Sequence, residues 1–119
     1  MRNILFGLSL VFVSLSTQAN YENALHLINA CEKSSDPKMS EAFSESSCIG
    51  YIGGVLDGAQ VVFSLKPTSR LFCVPPSGVS PETALSKIKA WAESNPSLAS
   101  QGTGRMAIFV ALAQSYPCN

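Results

Sequence analysis

Four cysteines, Cys31, Cys48, Cys73 and Cys118, are the most chemically distinctive residues of this 119-residue chain. A cysteine can serve as nucleophile, metal ligand or half of a disulfide, and spacing separates these roles. Zinc sites draw on C-x-x-C pairs or clustered His and Cys, whereas no two cysteines here lie closer than 17 positions. No metal site is expected. An even, widely spaced set suits a disulfide framework, provided the chain leaves the reducing cytosol.

Other groups able to do chemistry are few. His26 is the sole histidine and falls off the apolar stripe of its segment, as a solvated side chain would. A nucleophilic serine needs a base beside it, and the serines here occupy turn and cap contexts. Asp57 could form an acid and base pair with Glu82 or Glu93, but nothing in the spacing draws them together, and Asp57 falls opposite its own apolar stripe. Gly53-Gly54 and Gly102-x-Gly104 lack the lysine and strand context of a phosphate loop. The expectation is a protein that is not an enzyme and takes no cofactor.

The first residues decide the redox question. Met1-Arg2-Asn3 supplies a positive start, Ile4 to Leu15 an apolar run, and Ser16 to Ala19 a small polar stretch ending in alanine. That is the pattern of a Sec signal peptide, too short to span a hydrocarbon core that needs about 20 apolar residues. Cleavage after Ala19 would leave residues 20–119 as a single soluble domain, exported by the Sec route. No second long apolar run is expected, and hence no stable membrane insertion. Eight basic and eight acidic residues balance, which removes the positive surface that nucleic-acid binding requires. Only 13% of the chain is charged and 46% is hydrophobic.

Helical periodicity dominates the remainder, and the reading is an all-α, compact four-helix, disulfide-bonded domain, with room for short extra helical turns. The first helix runs from Tyr21 to Glu32 with Ala24, Leu25, Leu27, Ile28 and Cys31 on one stripe, and Lys33 to Ser40 is a loop. The second runs from about Glu41 to Leu65, with Cys48, Ile52, Val55, Leu56, Ala59, Val62 and Phe63 on one face, and Pro67 ends it. Leu71 to Pro76 is extended, because residues before proline avoid the helical region. Ser80-Pro81-Glu82 opens the third helix with an N-cap serine and proline at the first position, and Ala84, Leu85, Ile88, Trp91 and Ala92 form its buried stripe. Asn95-Pro96 stops it. Ser97 to Gly104 reads as a polar, flexible turn, and a fourth helix follows from Arg105 to Tyr116 with Met106, Phe109, Val110 and Ala113 inward.

Gly50, Gly54 and Gly58 recur every four residues along the second helix, although a glycine in a helix interior costs about 1 kcal/mol against alanine. Close approach of another backbone would offset that, from a neighbouring helix of the chain or from a second subunit.

Four cysteines allow three connectivities, and helix order favours one. Cys31 ends the first helix and Cys48 lies early in the second, so an antiparallel hairpin brings them together. Cys73 precedes the third helix and Cys118 follows the fourth. Pairing Cys48 with Cys73 would need the connector to double back over roughly 26 Å of helix. The expected bridges are Cys31–Cys48 and Cys73–Cys118.

One ordered set of residues resembles a known family. Cys48-Ile49-Gly50-Tyr51-Ile52-x-Gly54-Val55-x-Asp57, Cys73-Val74-Pro75-x-x-Gly78-Val79-Ser80, the Trp91 helix with Asn95-Pro96, Ala111-Leu112 and Tyr116-Pro117-Cys118 resemble the Rap/Tai immunity proteins of type VI secretion. The resemblance implies a small disulfide-bonded helical protein of the periplasm that commonly forms a homodimer and binds a cognate peptidoglycan amidase effector, occluding its active-site cleft and protecting the producing cell. In such proteins an inter-helix loop near this place plugs the cleft, which puts Ser97, Ser100, Gln101 and Thr103 forward as effector contacts. Gly50, Tyr51, Gly54 and Gly58 are then packing residues of the core or of a dimer face. A small periplasmic acid-stress chaperone, or another envelope binding protein, is the alternative.

Overall fold

The computed structural model describes residues 21–32 and 39–119, without the side chains of 39–45. The leader and its cleavage site at Ala19 lie outside the described residues, as does most of the loop expected at Lys33 to Ser40. The described elements are helices: α1 (Ala24–Glu32), α2 (Met39–Leu65), a 3-10 turn at Pro67–Ser69, α3 (Pro81–Ser94), α4 (Pro96–Gln101) and α5 (Gly104–Ser115).

Local chemistry starts and stops these helices. Asn23 receives the His26 amide on its side chain at 2.8 Å, which opens α1. Ser80 is the N-cap of α3, its hydroxyl accepting the Thr83 N–H at 3.1 Å with Pro81 in the first turn. Asn95 closes α3, its amide donating to the Trp91 carbonyl at 2.9 Å. Pro96 does end α3, but it also begins α4: its missing N–H would have been unsatisfied in a first turn anyway, and its fixed φ suits one.

The expected flexible turn from Ser97 to Gly104 is therefore corrected to a short helix and a tight corner. The corner is pinned because Ala99 is completely buried and α4 packs against α1 and α3. The polar residues that read as a loop are the outer face of α4.

The core gathers Leu27, Cys48, Ile52, Phe72, Ile88, Ile108 and Leu112, all nearly inaccessible. Phe72 joins two aromatic contacts, its ring 5.1 Å from Phe63 and 6.0 Å from Phe109. Disulfides join Cys31 to Cys48 and Cys73 to Cys118, with Cα separations of 5.4 and 5.0 Å, inside the roughly 4.4–6.8 Å that the bond requires. The second bridge is flanked by the Cys73 N–H donating to the Tyr116 carbonyl at 2.8 Å.

Two further expectations are corrected. In α5 the buried residues are Gly104, Ala107, Ile108, Ala111 and Leu112; Met106 is exposed, and Phe109, Val110 and Ala113 are half-buried. The stretch from Met106 to Ala113 is apolar on every side, so periodicity sets no phase, and small residues at 104, 107 and 111 let α5 lie close to α1 and α3. Likewise Leu25 and Val62 are exposed and Val55 and Leu85 half-buried.

The second correction concerns α2. Ser46–Leu65 is long and apolar enough to cross a membrane by length and composition, contrary to the expectation of no second apolar run. One side of it, Cys48, Ile52, Leu56, Ala59 and Phe63, is instead a wall of the core.

Candidate functional site

The α2 helix is apolar on both sides. Opposite its core stripe lie Gly50, Gly54, Gly58, Val61 and Leu65, all exposed, and Asp57 is the one charged residue between Ser46 and Leu65. Cβ atoms placed on Gly50, Gly54 or Gly58 would meet nothing within 4 Å, so no helix among the described residues packs on the glycine row.

Along the row runs a groove of about 870 Å³, lined among others by Tyr51, Gly54, Gly58, Phe63, Phe109 and Arg105. It is mostly apolar, and Arg105 is its only charged side chain. The absence of Cβ atoms at Gly54 and Gly58 is what opens it along α2. Tyr51, half-buried, stands at one end with its ring edge-on to that of Tyr21 at 5.0 Å, and Tyr21 in turn meets His26 at 5.6 Å. Burial of the Tyr21 hydroxyl, with a smaller contribution from Tyr51, raises its pKa above the ordinary 10.0.

A second feature is the corner between α4 and α5. The Gly104 N–H donates to the Tyr21 carbonyl at 2.9 Å, the Thr103 hydroxyl accepts the Met106 N–H at 3.3 Å as N-cap of α5, and the Gly102 N–H returns to the Leu98 carbonyl at 3.0 Å. Ser97, Ser100 and Gln101 are exposed on α4, while Thr103 is half-buried with its hydroxyl engaged in the cap. All four therefore lie at one corner of the fold. The Ser100 hydroxyl is turned onto the Ser97 carbonyl at 2.9 Å. Leu98 and Met106 flank Gly102 and are 57% and 59% exposed. The sequence pattern hides the exposure of both: Leu98 lies in a polar stretch, and Met106 lies on a helix whose apolar residues set no phase.

The remaining groups do not assemble. Asp57 lines a shallow depression with Gln60 and Pro75, whereas Glu82 and Glu93 line another on α3. Asp57 thus lines a different depression from the two glutamates considered as its partners. Lys89 pairs with Glu32 across α3 and α1, and the hydrogen bond it donates to that carboxylate, with the carboxylate's charge, raises the pKa of Lys89 above 10.5. Among the described residues no three His, Cys, Asp or Glu side chains cluster as metal ligands would.

The family model of the Rap1a immunity proteins matches residues 23–118. No curated protein and no solved structure matches the chain. The matched span takes in α1 through α5 and all four bridged cysteines, and the chain belongs to the Rap1a immunity protein family.

Proposed function

We propose that this immunity protein works in the periplasm of a cell with type VI secretion, after removal of its leader at Ala19, and that it neutralises a peptidoglycan amidase effector. The α4–α5 corner enters the amidase cleft and blocks it. The inhibitor acts by shape and contributes no catalytic group of its own. The observation that carries this reading is the corner itself: a short turn, tied to Tyr21 through Gly104 and backed by the fully buried Ala99. A pre-formed plug loses little conformational entropy on docking. Two bridges that need an oxidising compartment support the location, and the open glycine row and groove on α2 support a homodimer whose subunits meet there.

The experiment is direct. The mature chain is mixed with the amidase effector encoded beside its gene, and peptidoglycan hydrolysis is followed; the chain is also co-produced in cells that carry the amidase in the periplasm. Inhibition and survival are expected. Unimpaired hydrolysis and cell lysis would refute the proposal. No observation favours the acid-stress chaperone: among the described residues no charged or polar residue is buried in the neutral fold for acid to release.

A further inference from the structure

Two depressions flank the glycine row of α2, and they carry opposite charge. The groove beside Tyr51 and Val62 has Arg105 as its single charged residue, whereas the depression beside Leu56 and Gln60 has Asp57 as its own. Successive residues of an α-helix turn by about 100°, which sets Asp57 about 60° to one side of Gly54, and Tyr51 and Val62 about 60° and 80° to the other. Between these flanks lie Gly54, Gly58, Val61 and Leu65, the last two 59% and 82% exposed. Arg105 and Asp57 are themselves exposed, and neither joins an ion pair among the described residues.

We propose that two copies of the chain meet on this face with their α2 helices parallel, so that Arg105 of each subunit pairs with Asp57 of the partner subunit. This rests on the reading that the subunits of a homodimer meet on α2. Symmetry then fixes the direction. A closed dimer places one patch against itself. A two-fold axis running along α2 lays one flank of each copy over the opposite flank of the other, and the cation meets the acid twice. A two-fold axis running across α2 makes the helices antiparallel and lays each flank over its own copy, so that arginine faces arginine and aspartate faces aspartate. Like charges opposed in this way are disfavoured across an interface. The parallel arrangement also lays Gly54 on Gly54 and Gly58 on Gly58, where open space beyond each Cα lets two backbones approach. Leu65 is then seated against its own counterpart.

The test is sedimentation of the mature chain at low and at high salt, with Arg105→Glu, Asp57→Lys, the two combined, Arg105→Gln and Leu65→Cys. All three positions are exposed, so the variants should unfold at the denaturant midpoint of the parent. Each single reversal is expected to weaken the dimer about tenfold or more, and the combined exchange to return it to within about threefold of the parent. These differences should shrink as salt screens the pairs. Leu65→Cys should give a disulfide-linked dimer on mild oxidation, mapped to position 65 by mass spectrometry; an antiparallel pair centred on the glycine row would hold the two positions about 30 Å apart. If the parent dimerises but the single reversals leave it unchanged, or Arg105→Gln tightens it, the pairing is wrong while the homodimer reading stands. If the parent stays monomeric at every concentration, that reading fails and takes this inference with it.

Discussion

The main chain of Tyr21 and that of Gly104 touch: the Gly104 N–H donates to the Tyr21 carbonyl at 2.9 Å, and a Cβ on Gly104 would lie 2.8 Å from the Tyr21 Cβ. The residues just ahead of α1 are thereby locked to the first residue of α5, some eighty positions later in the sequence. The α4–α5 corner takes its position from that lock.

Gly104→Ala should therefore be costly. The neighbours of the added methyl include the Tyr21 carbonyl at 3.2 Å and the Leu27 Cβ at 3.5 Å, neither of which is the free end of a flexible side chain. Overpacking of this kind costs about 1–3 kcal/mol, read as a lower denaturant midpoint at unchanged slope. Gly102→Ala, whose methyl meets nothing nearer than 3.4 Å, is the control and should change stability little. Equal stability of the two variants would contradict the close approach.

On α2 the sign reverses. With nothing within 4 Å of a Cβ at Gly54 or Gly58, each change to alanine should stabilise the protomer by up to about 1 kcal/mol through helix propensity. If the row is the face where two copies meet, Gly54→Leu and Gly58→Leu should at the same time shift the chain toward monomer in sedimentation analysis. A dimer that survives both leucines would move the interface elsewhere.

The two bridges should part in order. Cys118 is exposed and Cys73 half-buried, whereas Cys31 and Cys48 are buried in the core. Mild reductant followed by alkylation and mass spectrometry should label Cys73 and Cys118 first. In the loop-entropy account, deleting the bridge that closes 45 residues costs about 4 kcal/mol and the one that closes 17 about 3 kcal/mol. The buried pair also loses packing, so its double alanine variant should fall further than loop length alone implies.

Stability should decline in alkali. Tyr21 and Lys89 both have pKa values raised on folding, from 10.0 and 10.5. A raised pKa means that the folded state holds its proton more tightly, so the stabilisation is complete below the unfolded value and is lost as pH rises through the folded one. Denaturant midpoints should thus be flat to about pH 9.5 and fall above it. Tyr21→Phe should remove part of the fall, because no anion then has to be desolvated; an undiminished fall would place its source elsewhere.

Much of this protein is legible in the order of its residues. Helical spacing, the Ser80-Pro81 start and the positions of the four cysteines relative to the helices are local or nearly local facts, and they suffice to write an all-α chain with bridges 31–48 and 73–118. The set of motifs from Cys48 to Cys118 carries the family. Where the pattern has a strong phase, as in Ala24, Leu27, Ile28 and Cys31 of α1 or Ala84, Ile88, Trp91 and Ala92 of α3, the buried face follows from the sequence too.

Tertiary structure alone decided the rest, and for one physical reason: the uniformly apolar segments carry no phase. In α5 every rotation buries hydrophobic side chains, and the close fit of Gly104, Ala107 and Ala111 against α1 and α3 selects one, turning Met106 outward. In α2 the same uniformity leaves a second face that only three-dimensional packing shows to be without a neighbour among the described residues. Ser97 to Gly104 is polar enough to read as a loop, yet burial of Ala99 winds it into α4. Gly104, indistinguishable in sequence from any turn glycine, is required there because the Tyr21 main chain passes where a side chain would stand.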